Sequence, residues 1–138
     1  RVFYTSQGGY DTHANQIPVQ TPLLGDLSAG IGDFFADLKE HDAADNVLML
    51  VFTEFGRRVK DNGSGSDHGS GGASYVIGQP VNGGMHGQYP SLREEDQLDG
   101  DLRFQVDFRS VYATIVEKWL GLDAKSVIGG NYEHLDFV

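Results

Sequence analysis

A nearly unbroken apolar run, Val47-Leu48-Met49-Leu50-Val51-Phe52, restricts the folds open to this chain more than any other stretch. It leaves no polar position for water, so it suits a strand covered on both faces, as in sheets flanked by helices. The stretch before it supplies one cover. Thr21-Pro22 resembles a helix start with proline in the first turn. Leu23, Leu24, Leu27, Ile31, Phe34, Phe35 and Leu38 then recur at spacings of three and four up to about His41, which gives a helix one apolar face. Glycines at 25, 30 and 32 weaken that helix by up to about 1 kcal/mol each, too little to undo the stripe. Further upstream, Val2 to Thr5 is β-branched and aromatic and predicts a buried strand.

Strand, helix and strand in that order predict a right-handed βαβ unit with parallel strands. The expected fold class is therefore α/β, a mixed and mostly parallel sheet with flanking helices. The carboxyl ends of parallel strands share one edge, where open α/β sheets bind ligands. Three turn-rich stretches are expected to meet there. Gly8-Gly9-Tyr10-Asp11-Thr12-His13 follows the first strand, and its glycines permit a sharp turn that leaves a carboxylate and an imidazole two residues apart. Thr53-Glu54-Phe55-Gly56-Arg57-Arg58 follows the second, and Ser66-Asp67-His68-Gly69 precedes a third strand at Ala73 to Ile77. If that third strand is antiparallel, its start brings His68 to the same edge.

The rest of the chain frames this site. Residues 60–72 are rich in Gly, Ser and Asp and read as a loop, as does the long stretch from Gly78 to about Gly100. Leu102 to Val106 is a candidate short strand. Phe108 to Leu120 predicts a helix that buries Val111, Ile115, Val116, Trp119 and Leu120 and closes at Gly121, while the tail from Leu122 carries no clear period. With 138 residues, one domain spanning 1–138 is expected. Twenty acidic against ten basic residues give a net charge of −10, which repels polyanions and opposes nucleic-acid binding. No cysteine is present, so thiolate metal sites and disulfides are excluded. No apolar run is long enough to span a membrane. The chain opens on Arg1 rather than methionine, which suggests a processed or excised fragment.

Carboxylate and imidazole ligands without thiolate suit zinc first, with manganese, iron or calcium as alternatives; a catalytic site needs about three protein ligands and an open position. Asp11, His13, Glu54 and His68 are the candidate ligands. Each also has a plainer reading: Asp11 capping a turn, His13 and His68 as loop histidines, Glu54 paired with Arg57 or Arg58. A structural calcium site in the Asp- and Gly-rich loop is a further reading, which the histidines oppose. Arg57 is the candidate for holding an oxyanion, since a guanidinium forks onto sulfate, phosphate or carboxylate oxygens; an ion pair with Glu54 or Asp61 is its alternative. His41 and His134 read as surface residues, and His86 as a loop histidine outside the site.

The order Gly-Gly-Tyr-Asp-Thr-His-Ala-Asn (8–15), Thr-Glu-Phe-Gly-Arg (53–57), Asp-His-Gly (67–69) and Asp-Phe-Arg-Ser-Val-Tyr-Ala-Thr (107–114) resembles the C-terminal part of a bacterial family. Its members are uncharacterised sulfatase-like proteins, usually exported by the twin-arginine route, in the alkaline phosphatase superfamily. The resemblance implies that superfamily's mixed α/β fold, with metal at the carboxyl edge of the sheet. It places Asp11 and His13 in the first metal motif, Glu54 where the superfamily has a metal-binding Asp, and His68 as the late histidine ligand. Phe55 stands where alkaline phosphatases carry a second metal-binding histidine, which leaves a second site one ligand short. The nucleophilic Ser, Thr or modified Cys of such enzymes comes from an upstream segment outside this chain. The resemblance thus implies part of a metal-dependent hydrolase of sulfate or phosphate esters, periplasmic or extracellular, with the fragment inactive without its nucleophile. The alternative it leaves is a non-catalytic binding or scaffold domain of an exported protein. A small-molecule ester is the expected partner, and an unpaired apolar sheet edge makes a homodimer a second one.

Overall fold

Asn15 takes a left-handed backbone conformation (φ 50°) and turns the chain into its longest element, helix α1, Gln16–Glu40. The computed structural model describes all 138 residues. α1 begins earlier than Thr21-Pro22 predicts, because Pro18 falls in the first turn, where its missing N–H has no intrahelical partner to lose. Pro22 is then interior to the helix, and the Thr21 hydroxyl donates to the Ile17 carbonyl at 2.6 Å nearby. The expected stripe is present but only half covered. Leu23, Leu27, Ile31, Phe35 and Leu38 are half-buried, Leu24 and Phe34 are exposed, and no residue of α1 is buried.

The fold is mixed α/β, with all strand pairings antiparallel. β1 (Met49–Val51) pairs with β4 (Tyr75–Ile77), matching Leu50 to Val76. β2 (Gly56–Asp61) pairs with β3 (Ser66–Gly69), matching Arg57 to His68 and interrupted by an irregularity before Asp61. The parallel pairing expected between residues 2–5 and 47–52 does not form. Val2, Phe3 and Tyr4 belong to no strand and are about four-fifths exposed, since no neighbouring strand offers them hydrogen bonds. The third expected strand is therefore right and antiparallel, shortened to Tyr75–Ile77, whereas the loop expected at 60–72 contains most of a hairpin. Leu102 to Val106 forms no strand; only isolated bridges involve Asp101.

The C-terminal helix follows the expected span but changes pitch. α2 (Phe108–Thr114) continues as a π-helical turn, Ile115–Trp119, in which Leu120 N–H donates to Ile115 O. The Asp107 carboxylate caps α2 by accepting from Arg109 N–H at 2.9 Å. α3 (Ala124–Ile128) packs back, and Ala113, Val116 and Ala124 form the small core with Ile128 and Tyr132 against it. Burial elsewhere is sparse, with 12 of 138 residues buried. The accessible surface is 9764 Å²; a compact monomer of 15.1 kDa would show about 7,100 Å². No helix is long and apolar enough to cross a membrane.

Candidate metal centre

The loop carrying Asp11 and His13 lies between α1 and the β2–β3 hairpin, and main-chain contacts hold it to both. From the helix side, Gln20 donates through Nε2 to Tyr10 O at 3.0 Å and to Thr12 Oγ1 at 2.9 Å. From the hairpin side, the tip reaches under the helix start: Ser64 Oγ accepts from Asn15 N–H at 2.9 Å and Ser64 O from Gln16 N–H at 3.2 Å. Asn62 folds that tip by accepting from the N–H groups of Ser64 and Gly65, while its Nδ2 donates to His13 O at 3.0 Å. The hairpin is what delivers His68. Gly56 and Gly69 allow the approach, because a Cβ on Gly69 would stand 2.6 Å from the Arg57 carbonyl carbon.

The result is a cluster of three donors. Asp11 Oδ1 lies 2.7 Å from His68 Nε2 and 3.0 Å from His13 Nε2, and the ligand atoms of all three residues fall within 4.8 Å of one another. Donors around a tetrahedral zinc stand about 3.3 Å apart, given bond lengths of about 2.0–2.2 Å. Asp11 stands within several tenths of an ångström of that spacing from each imidazole, while the widest pair of donors would have to close by up to about 1.5 Å, so two imidazoles and a carboxylate suit a first-row divalent metal in number and chemistry and need the ion to draw them in. The side chains remain 66%, 49% and 44% exposed for Asp11, His13 and His68, which leaves one side open to a further ligand.

Surrounding groups fix the donors. The hydrogen bond with His68 does most to hold the Asp11 carboxyl below its ordinary range, against some desolvation, and the charges of His68 and His13 add to it. Phe55 lies flat on the His68 ring, with centroids 4.0 Å apart and planes 14° from parallel. His13 Nδ1 lies 3.2 Å from Asp67 Oδ1. Asp67 is likewise held below its ordinary range, first by His13 and then by Asn62, whose Nδ2 donates to the same oxygen at 3.2 Å.

The structure thus gathers Asp11, His13 and His68 and leaves Glu54 out. Glu54 sits exposed on the turn between β1 and β2, in no hydrogen bond or ion pair, because the chain bends there toward β2. Arg57 is close to the site but differently used. Its Nη1 donates to Ser66 O at 2.5 Å and its Nη2 to Tyr10 O at 2.6 Å, with the guanidinium 5.0 Å above the Phe55 ring. It ties the segment before Asp11 to the segment before His68, and forms no pair with Glu54 or Asp61. Asp67 and Asn62 carry no spacing signal of their own; only their place beside His68 and in a turn-forming Asp-Asn-Gly sequence marks them. Elsewhere, His41 and His134 are exposed as expected, His134 pairing with Glu117 at 3.0 Å, and His86 binds Asn82 O.

One family model matches residues 1–134, and its description is "Protein of unknown function (DUF1501)". Neither the curated proteins nor the solved structures contain a match to the chain.

Proposed function

This chain belongs to the DUF1501 family, and from that premise we propose that it forms the metal-holding part of a hydrolase of sulfate or phosphate esters. The surrounding fold on this reading is of the alkaline phosphatase and sulfatase type, and the location periplasmic or extracellular. One observation carries the proposal: Asp11 and His13 from one loop and His68 from a hairpin distant in sequence bring three donor atoms within 4.8 Å of one another on an open face. Zinc suits that donor set first, with manganese, iron or calcium next. A metal bound there would polarise an ester oxygen and stabilise charge as the ester bond breaks.

The chain's own residues do the rest. Asp11 supplies the anionic donor, and Phe55 keeps the His68 ring in plane while narrowing the space beside it. Arg57 holds the two ligand segments at fixed separation, a structural use of the guanidinium in place of the expected clamp on an oxyanion. The attacking group is not among the residues gathered here. A non-catalytic binding domain is the second reading, favoured by Phe55 occupying the place of a further ligand and by the openness of the cluster.

The test is elemental analysis by plasma mass spectrometry after dialysis against a weak chelator, for the wild type and His13→Ala. About one equivalent of zinc, manganese or iron that is lost in the variant supports the proposal; a variant that keeps its full metal content overturns it. Turnover of an aryl sulfate or aryl phosphate by the metal-loaded full-length protein then separates hydrolase from binding domain.

A further inference from the structure

We propose that Asp67 is a positioning residue for His13: it accepts the proton on Nδ1 and so aims the Nε2 lone pair at the space shared with Asp11 and His68. The inference rests on the metal-site reading but uses a different contact. The two ring nitrogens of His13 face two different carboxylates, Nε2 toward Asp11 Oδ1 at 3.0 Å and Nδ1 toward Asp67 Oδ1 at 3.2 Å. A neutral imidazole carries one proton, so one nitrogen donates and the other has a free lone pair. Only the Nδ1–H form leaves Nε2 free, and Nε2 is the atom grouped with the other donors.

Asp67 is built for that duty. Its Oδ1 also accepts from Asn62 Nδ2 at 3.2 Å, and the same Nδ2 donates to the His13 carbonyl at 3.0 Å. One amide therefore fixes the carboxylate and the backbone of the histidine it faces, which removes freedom from both ends of the contact. A carboxylate behind a ligating histidine holds its tautomer and ring orientation and raises its basicity, and removing such partners lowers metal affinity by roughly 10- to 100-fold. Asp67 itself does not touch the ion in this arrangement. The residue next to it, His68, would hold the ion, so one dipeptide would supply a ligand and the orienting group of another ligand.

Two measurements on the full chain test this. Zinc affinity is determined by competition with a chromophoric chelator for the wild type, Asp67→Asn, Asp67→Ala and His13→Ala. The nitrogen-15 shifts of the His13 ring are recorded on the metal-free wild type and Asp67→Ala. Expected are a roughly 10- to 100-fold weaker zinc site in the Asp67 variants with one-to-one stoichiometry kept, and an Nδ1–H tautomer in the wild type that is lost in Asp67→Ala. A wild type with His13 in the Nε2–H tautomer overturns the proposal, as do Asp67 variants that bind zinc with unchanged affinity. If the wild type binds no zinc, the metal reading falls, and the ring tautomer alone decides whether Asp67 orients His13.

Discussion

A methyl group on Gly56 would stand 1.8 Å from the Gly71 carbonyl oxygen, well inside contact distance, where β2 and the segment after β3 run together. Gly56→Ala must therefore push the hairpin apart. Overpacking of this kind costs about 1–3 kcal/mol, and a lower urea midpoint with an unchanged slope is the expected outcome. His68 shifts with that backbone, so zinc affinity should drop in parallel. Arg57 gives the complementary case. Arg57→Lys keeps a positive charge but cannot fork onto Tyr10 O and Ser66 O together. Zinc binding in that variant should weaken while circular dichroism stays near the wild type; unchanged affinity would remove Arg57 from the role of tie.

At the scale of elements, two short helices depend on aspartate caps that acid removes. Asp107 is held below the ordinary carboxylate range chiefly by hydrogen bonds from the Arg109 side chain and N–H, and Asp123 by the Ser126 hydroxyl and then its N–H. A depressed carboxyl contributes stability that is fully present above its unfolded value of 3.8 and is lost as pH falls through the lower, folded value. Helicity at 222 nm should therefore fall below about pH 4 in the wild type and lose part of that dependence in Asp107→Asn. These helices also show what the sequence made legible. The period of 108–120 announced its helix and, of its buried residues, Val111 and Val116, because that face meets a partner within the chain; Ile115, Trp119 and Leu120 are only half-buried, and Ser110, Ala113 and Thr114 are buried as well. The period of 21–41 announced α1 equally well, but not where it starts, which Pro18 and the hairpin tip decide. The apolar run at 47–52 marked a strand without marking its direction, since pairing depends on which segment lies alongside. The glycine-rich loop at 60–72 hid β2 and β3, whose alternation is broken by polar residues. Convergence of Asp11, His13 and His68 was expected from loops at strand ends, although the strand expected before Asp11 does not form. The means was not, for it is an antiparallel hairpin rather than a shared sheet edge. Glu54 shows the cost of that difference: it follows a strand as expected, yet it stands exposed on the bend, and the next residue, Phe55, meets His68 instead.

For the whole molecule, the surface exceeds that of a compact chain of this mass, and Val2, Phe3, Tyr4, Leu24 and Phe34 contribute to the exposed apolar part. Such a surface binds hydrophobic dyes. Fluorescence of an anilinonaphthalene dye should be enhanced by the folded protein under native conditions and reduced by Phe3→Ser with Leu24→Ser; no enhancement would mean that this surface is covered in solution. The core that does exist gathers near α2 and α3, so the region around Asp11 must be stabilised by polar ties instead of burial. Asp11 and His68 are 57 positions apart, and His13 and Asp67 are 54 apart. An ion held by Asp11, His13 and His68 would act as a staple across a long loop. Closing such a loop is entropically costly, by an amount that grows only slowly with length, and a staple takes most of its effect from restraining the unfolded chain. Zinc at about 100 times its dissociation constant should raise the unfolding free energy by about 2.7 kcal/mol. The ion would then be a fastener of the fold before it is a reagent, and chelation would loosen helix α1 from the hairpin long before it reached the packed C-terminal helices.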